Sequence, residues 1–251
     1  MLNIKAVFLA AGRGVRMGER GRLTPKGLIS LGEQSFLEDA VDTLALHGIS
    51  DVRVVTGHLA DHYRTLAAER RPSLDLRHND TFSSKGSLQS LMVGLEGLDG
   101  PCLVLESDLV FEPRAVEAAI GRPQTSALLV SGKTGAGDEV HVWTDERDGL
   151  RCLRDMSKLI DRWHDTPYGE LVGITYLTAD AVGELRELGP HLIAGDPMAD
   201  YESGVVALAR RQQVAVPKVA DLAWAEVDNE AMLARAAELV YPRIAAARRN
   251  G

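Results

Sequence analysis

The sequence predicts an α/β fold with a doubly wound, mostly parallel sheet, and three observations carry the prediction. Strand-like apolar runs alternate with helix-like runs along the chain, the pattern of a parallel sheet with helices on both faces. The chain has 251 residues, 45% of them hydrophobic and 25% charged, which supports a large core under an ordinary globular surface. No internal repeat or low-complexity segment interrupts the alternation, so residues 1–251 read as a single domain.

The first strand is the apolar run 4–9, which empties into a glycine-containing loop. A helix follows over 36–47 and stops where Gly48 supplies a C-cap. Strands at 52–56 and 74–77 enclose a helix at 59–70, and a helix at 86–95 precedes a strand at 102–106. A helix at 113–120 then leads to a strand at 126–130. Residues 131–171 are the least regular, rich in Gly and Asp, and read as an acceptor-side insertion of hairpins and loops that includes a strand at 139–144. Ligands of open α/β sheets sit at the carboxyl ends of the strands, so this insertion is placed to lid such a site. Beyond it come a strand at 171–177, helices at 178–188 and 199–211, and a strand at 213–219. The last helix spans 229–249, N-capped by Asp228 and kinked or divided by Pro242.

Charge and cysteine content narrow the function. The net charge is −8, which argues against nucleic acid as a partner, because such binding needs a basic face. No apolar run approaches the ~18 residues of a membrane span, and the N-terminus lacks the pattern of a signal peptide. Two cysteines, Cys102 and Cys152, make neither a disulfide framework nor a zinc site. A cytoplasmic protein with no membrane partner is the expectation.

Against that acidic average, residues 1–26 hold Lys5, Arg13, Arg16, Arg20, Arg22 and Lys26 with the single acid Glu19. The loop Gly12-Arg13-Gly14 lets backbone N–H groups approach a phosphate chain. It departs from the dinucleotide fingerprint, because Met17 stands where a third glycine belongs, and from the Walker A pattern. A plain tight turn is the alternative reading. Pro25 fixes the backbone before Lys26 and biases Thr24 to an extended form, which aims the lysine back at the loop. Two strand-like runs end in acids: Glu106-Ser107-Asp108 and Glu226-Val227-Asp228. Carboxylates at strand ends suit Mg²⁺, a hard cation that takes oxygen ligands, and capping roles for Asp108 and Asp228 stay open. Gly86 and Ser87 open a helix whose N–H groups can read a polar ligand. His58 and His62 have helical metal-pair spacing, but no third ligand lies nearby, so a solvated or capping role is expected.

Taken together, these pieces resemble the nucleotidyltransferases of the sugar-phosphate and choline-phosphate type. The match rests on Leu9-Ala10-Ala11-Gly12, the Gly/Arg loop, Met17 and the Pro25-Lys26 pair, and it returns at residues 78–112, at Lys158 and at Trp224–Asp228. The chain looks most like the small cytidylyltransferases of phosphonates or phosphocholine, through Ser87–Leu91, Gly137-Asp138-Glu139-Val140 and the closing Trp224-Ala225-Glu226-Val227-Asp228-Asn229. The resemblance implies a Rossmann-like nucleotidyltransferase fold and a Mg²⁺-dependent transfer of CMP from CTP, with release of pyrophosphate. It assigns catalysis to Arg13, Lys26 and Lys158, with the triphosphate held by Arg13 and Lys26 and the acceptor steered by Lys158. Nucleotide contacts fall on Leu9, Ala11, Gly12, Arg13, Gly14, Lys26, Gly86 and Ser87. Acceptor contacts fall on Lys133, Glu139, Lys158 and Tyr201, and metal ligation on Asp108, Glu226 and Asp228.

The acceptor is expected to be a small phosphonate, of phosphonoformate or aminoethylphosphonate type. A choline site needs an aromatic cage, and aromatics are only 5% of the chain. In the acceptor half, Trp143, Trp163, Tyr168 and Tyr201 are the residues that can contribute to one, whereas Lys133, Arg154 and Lys158 offer cations for an anion. The alternatives are a phosphocholine cytidylyltransferase, a sugar-1-phosphate nucleotidyltransferase using another triphosphate, and a non-catalytic nucleotide-binding module. The partners expected are CTP and the acceptor, with a homodimer as the possible assembly.

Overall fold

The computed structural model describes residues 3–70 and 73–250, with side chains described as far as Arg248. In chain order the first half contains β1 (Lys5–Ala10), α1 (Gly18–Leu23), α2 (Phe36–Leu46), β2 (Asp51–Thr56), α3 (Ala60–Glu69), β3 (Asp75–His78), α4 (Ser87–Leu95), β4 (Cys102–Glu106), β5 (Leu109–Phe111), α5 (Arg114–Ile120) and β6 (Ser126–Ser131). The second half contains β7 (His141–Arg147), β8 (Leu150–Ser157), β9 (Gly169–Leu177), α6 (Ala179–Gly195), α7 (Tyr201–Ala209), β10 (Val214–Ala215), β11 (Lys218–Val219), β12 (Trp224–Glu226), α8 (Glu230–Arg235) and α9 (Tyr241–Asn250).

A ten-stranded sheet in the order β11-β6-β10-β8-β7-β9-β4-β1-β2-β3 organises the molecule, with β6 also pairing to β9. Its first half is parallel: β1 lies between β2 and β4, with Lys5 opposite both Asp51 and Cys102. From β9 onward the sheet is mixed, because β9 runs antiparallel to β4, to β6 and to β7. The mostly parallel expectation therefore describes the half that carries the glycine loop. Residues 131–171 are not a detached cover. The hairpin of β7 and β8 turns through Asp148 and Gly149, both with positive φ, and continues the main sheet. It is held there by buried Val142, Trp143, Cys152 and Leu153.

Alternation along β1 explains how the sheet is covered. Ala6, Phe8 and Ala10 point into one core with Leu37, Leu44 and Tyr63, while Val7 points into the other with Leu88, Leu91 and Leu95. Arg53 is buried within β2 and donates to Asp75 Oδ2 at 2.8 Å, Gly94 O at 2.8 Å and Glu96 O at 2.7 Å. A third, smaller core joins Met17 to Phe36, Val110, Val227 and Val240. The residue that breaks the dinucleotide pattern is thus the buried anchor of the loop.

Several element ends differ from the sequence reading, each for a local reason. The strand expected at 213–219 is divided into β10 and β11, since Pro217 has no N–H for the ladder. α6 runs through Pro190 to Gly195, held by buried Leu185 and Ile193. The C-terminal helix is interrupted by a π-turn at Ala236–Val240 just ahead of Pro242, a wider turn that accommodates the missing donor. Its N-cap is Asn229, whose side chain accepts from Met232 N, and not Asp228. α2 starts with a capping box between Ser35 and Glu38. Among the described residues, no helix is long and apolar enough to cross a membrane.

Candidate active site

A cavity of about 380 Å³ opens at the carboxyl ends of β1 and β4. Leu9, Ala11, Gly12, Arg13, Gly14 and Lys26 line it from the first loop, Gly86 and Ser87 from the start of α4, and Asp108, Glu226 and Asp228 from the strand ends. Lys158 and Tyr201 line it from the second half. Two sequence-predicted residues stand apart. Glu139 lines an adjoining cavity, where it accepts from Gly137 N–H at 3.0 Å, a bond that holds its pKa below the usual carboxylate range. Lys133 is exposed and lines neither cavity.

The loop lysine is the best-connected cation. Lys26 Nζ donates to Asp108 Oδ2 at 2.7 Å and also to Asp228 Oδ1. Burial alone would lower its pKa, but Asp108 and Asp228 outweigh burial and raise it, so it stays charged. Arg16 pairs with Asp138, and its Nη2 lies 2.5 Å from Asp228 Oδ2, a charge contact whose alignment falls outside hydrogen-bond geometry. Asp138 also accepts from Lys158 Nζ at 2.9 Å. Burial works against that carboxylate's charge, yet Lys158 and Arg16 bring its pKa down to about 2. Arg13 is exposed and forms no ion pair among the described residues.

The carboxylates assemble differently from the sequence reading. Glu106, Asp108 and Glu226 each bring an oxygen within 4.8 Å of the others, whereas the oxygens of Asp228 face Lys26 and Arg16. Glu106 is the residue that sequence reasoning passed over as a ligand. Burial, with the charges of Asp108 and Glu202 nearby, pushes its pKa up to about 8. Burial and the charges of Glu106, Asp108 and Asp228 push Glu226 to about 10. Tyr201 Oη donates to Glu106 Oε1 at 2.6 Å. Gly173 makes room for that carboxylate: it has φ +81°, and a Cβ there would fall 2.9 Å from Glu106 Oε1. Three converging, mutually repelling carboxylates form an all-oxygen donor set that fits a hard divalent cation.

Gly86 and Ser87 do structural work at the cavity wall. Gly86 N donates to Pro197 O at 2.9 Å, and a Cβ on Gly86 would collide with the carbonyls of Met198 and Ala199. Ser87 Oγ accepts from Tyr201 N at 2.9 Å, tying α4 to α7. The adjoining cavity shares Glu106, Lys158, Glu202 and Glu226 with the main one and adds Asp138, Trp224 and Arg235. Glu202 Oε2 is buried without a hydrogen-bond partner, and burial raises that carboxyl to about 7.

The four aromatic residues considered for a choline cage are dispersed. Trp143 is fully buried and donates to Asp165 O, Trp163 packs under the Arg154 guanidinium at 4.5 Å, and Tyr168 lies in a separate cavity. Of the four considered, Tyr201 alone lines the main cavity, and Trp224 lines the adjoining one. His58 and His62 gather no metal group among the described residues; His58 Nε2 lies 3.2 Å from Gly21 O.

Comparison with known proteins gives concordant similarities. Residues 6–168 match the family described as the MobA-like NTP transferase domain. The CMP-5'-(3-aminopropyl)phosphonate synthase of Streptomyces rubellomurinus is 31% identical over 243 residues, which cover 90% of this chain and 37% of that protein. This chain thus spans little more than a third of that relative. The 2-aminoethylphosphonate cytidylyltransferase of Lancefieldella rimae is 32% identical over 175 residues, 69% of this chain and 67% of that protein. Among solved structures, the CTP:phosphocholine cytidylyltransferase of Streptococcus pneumoniae superposes with a TM-score of 0.75 at 19% identity, covering 95% of this chain and 99% of that one. At that identity the likeness concerns the fold.

Proposed function

Because the chain belongs to the MobA-like NTP transferase family, we propose that it is a cytidylyltransferase that joins CMP from CTP to a small aminoalkylphosphonate and releases pyrophosphate. The observation that carries this reading is the arrangement across one cavity: the cations Arg13 and Lys26 on the first loop, and the carboxylates Glu106, Asp108 and Glu226 opposite. The names of the two phosphonate-handling relatives support the acceptor class and the base. The acids of the adjoining cavity, above all the unpartnered Glu202, favour an acceptor that brings a positive charge, which selects the amine over phosphonoformate. The dispersal of Trp143, Trp163 and Tyr168 away from Tyr201 disfavours phosphocholine.

The chemistry is in-line attack of a phosphonate oxygen on the α-phosphorus, with the bond to pyrophosphate breaking. The nucleophile is already anionic, so no general base is required, and catalysis is positioning and charge stabilisation. Arg13 and Lys26 hold the triphosphate and neutralise charge on the leaving pyrophosphate. Lys158 orients the acceptor phosphonate, and Glu202 its ammonium. Glu106, Asp108 and Glu226 would hold Mg²⁺, with Asp228 beside them; when bound, the ion supplies charge neutralisation at the reacting phosphate. Two free buried cysteines accord with a reducing cytoplasm.

The test is incubation with CTP, Mg²⁺ and, separately, 2-aminoethylphosphonate, 3-aminopropylphosphonate, phosphonoformate and phosphocholine, followed by mass analysis of CMP adducts. Adducts with the aminoalkylphosphonates are expected. Adducts confined to phosphocholine, or none with either aminoalkylphosphonate, would overturn the reading.

A further inference from the structure

A third hollow, of about 400 Å³, shares no lining residue with the two cavities already described. It lies where the sheet is interrupted between β10 and β11, so that Val216 and Pro217 form part of an apolar floor. Around it stand three cations: Arg122 beyond α5, Arg151 on β8 and Lys218 on β11. The Arg151 guanidinium sits 5.6 Å from the centroid of the Tyr168 ring and Lys218 Nζ 5.0 Å from it, and Lys218 Nζ donates to Tyr168 O at 2.5 Å. No carboxylate lines the hollow, and none of the three cations forms an ion pair among the described residues.

That arrangement runs against the rest of the molecule. The chain carries 36 acids against 28 Lys and Arg, and among the described residues most of the other cations are paired with acids, as Lys26, Arg16, Lys158 and Arg53 are. Three cations gathered without an acid raise the local potential, and a concave, partly apolar setting focuses it. Tyr168 offers Arg151 and Lys218 the negative face of its ring, which positions them but leaves their charge uncompensated. Arg151 is fixed from the backbone as well, since its carbonyl accepts from Val216 N at 2.9 Å.

We propose that this hollow is a second ligand site, separate from the nucleotide cavity, for a small organic phosphate or phosphonate. Its dianionic phosphorus head is held by Arg122, Arg151 and Lys218, and its apolar body rests on the floor formed with Val216 and Pro217. The phosphorus oxyanion is the shared chemistry; whether the ester or the carbon-linked acid is preferred is read by using both. The proposal stands independently of the cytidylyltransferase reading, because none of these residues contributes to that cavity.

The test uses phenyl phosphate and phenylphosphonate as probes, titrated into the ¹⁵N-labelled full chain while backbone amide shifts are followed. Saturable shifts centred on Arg151, Val216 and Tyr168 are expected. Affinity should fall at least tenfold in Arg151→Gln/Lys218→Gln and be kept in Lys26→Met, while CTP turnover of the double variant stays unchanged. Should the double variant fail to fold, Arg122→Gln, in an exposed segment, is expected to weaken binding several-fold. The proposal is overturned if the shifts map to the first loop and vanish in Lys26→Met. It is equally overturned if the probes shift nothing around Tyr168, or bind the site variants as well as the parent.

Discussion

Lys26 and Asp108 are joined by a 2.7 Å hydrogen bond, and the same lysine nitrogen also reaches Asp228. One loop cation thus balances two carboxylates that come from distant strand ends. The balance is local, and each side of it has measurable consequences.

Lys26→Met removes that balance. Asp228 is almost fully buried, and leaving it beside Asp108 without the ammonium is expected to cost about 3 kcal/mol of stability, as when a buried pair loses one partner. Added Mg²⁺ should restore more of the melting temperature in the variant than in the parent, because the ion supplies the missing charge. Turnover with CTP should fall by about two to three orders of magnitude. Thermal melts with and without Mg²⁺, alongside a pyrophosphate-release assay, check both parts; an unchanged melting temperature would refute the first.

Metal binding should strengthen as pH rises through neutrality. Burial and like charges raise Glu106 to about 8 and Glu226 to about 10, so near pH 7 these groups hold protons. A cation binds their deprotonated forms, so protons are released on binding and affinity increases with pH. Calorimetry in two buffers of different ionisation enthalpy, at about pH 6.5 and about pH 8.5, reads the proton release directly. In Glu106→Gln the release should shrink.

Gly173→Ala is expected to be costly although the change is one methyl group. The residue has φ +81°, and the new Cβ would meet Glu106 Oε1 at 2.9 Å and Leu109 Cδ1 at 3.0 Å. Backbone strain together with displacement of the carboxylate should lower stability by about 1–3 kcal/mol. The apparent Mg²⁺ requirement for turnover should rise. Chemical denaturation and a Mg²⁺ titration of activity separate the two effects.

Arg53→Met tests a purely structural arginine. The variant leaves the carbonyls of Gly94 and Glu96 without their donor, at an expected cost of about 3 kcal/mol. Asp75 is partly buried, which opposes its charge, but Arg53 outweighs this and lowers its pKa. A depressed carboxylate contributes stability above its unfolded pKa, and that contribution is lost as pH falls through the folded value. The acid limb of the stability profile should therefore flatten in the variant. An unaltered acid limb would show that Asp75 does not draw on Arg53.

The fold was legible where periodicity and burial agree. The strand ending at Glu106 and the helix at 36–47 show their apolar pattern directly, and both lie within the large cores. The β7–β8 hairpin was harder to see because β8 lacks a strict alternation, with exposed Arg151 and half-buried Arg154 set around buried Cys152 and Leu153. Its turn, Asp148-Gly149, is nevertheless a strong hairpin signal. At the site, the chain neighbours Pro25-Lys26 and Glu226-Val227-Asp228 were visible as motifs. Glu106 stands two residues before Asp108, but the Glu226 that completes the group and the Gly173 and Tyr201 that flank Glu106 come from elements remote in sequence, which local spacing does not encode. The pairing of Asp138 with Arg16 and Lys158 is likewise a product of tertiary packing.

The main cavity draws its lining from both sides of the seam between β4 and β9, where the parallel half of the sheet meets the mixed half. One flank contributes the first loop with Lys26; the other contributes Lys158 and Tyr201. The register of β1 with β2 and β4 is set on one side of the seam, and β9 pairs with β4 from the other. Redesign of the far flank therefore has to keep Gly173 and Tyr201, because both hold the Glu106 carboxylate that β4 carries.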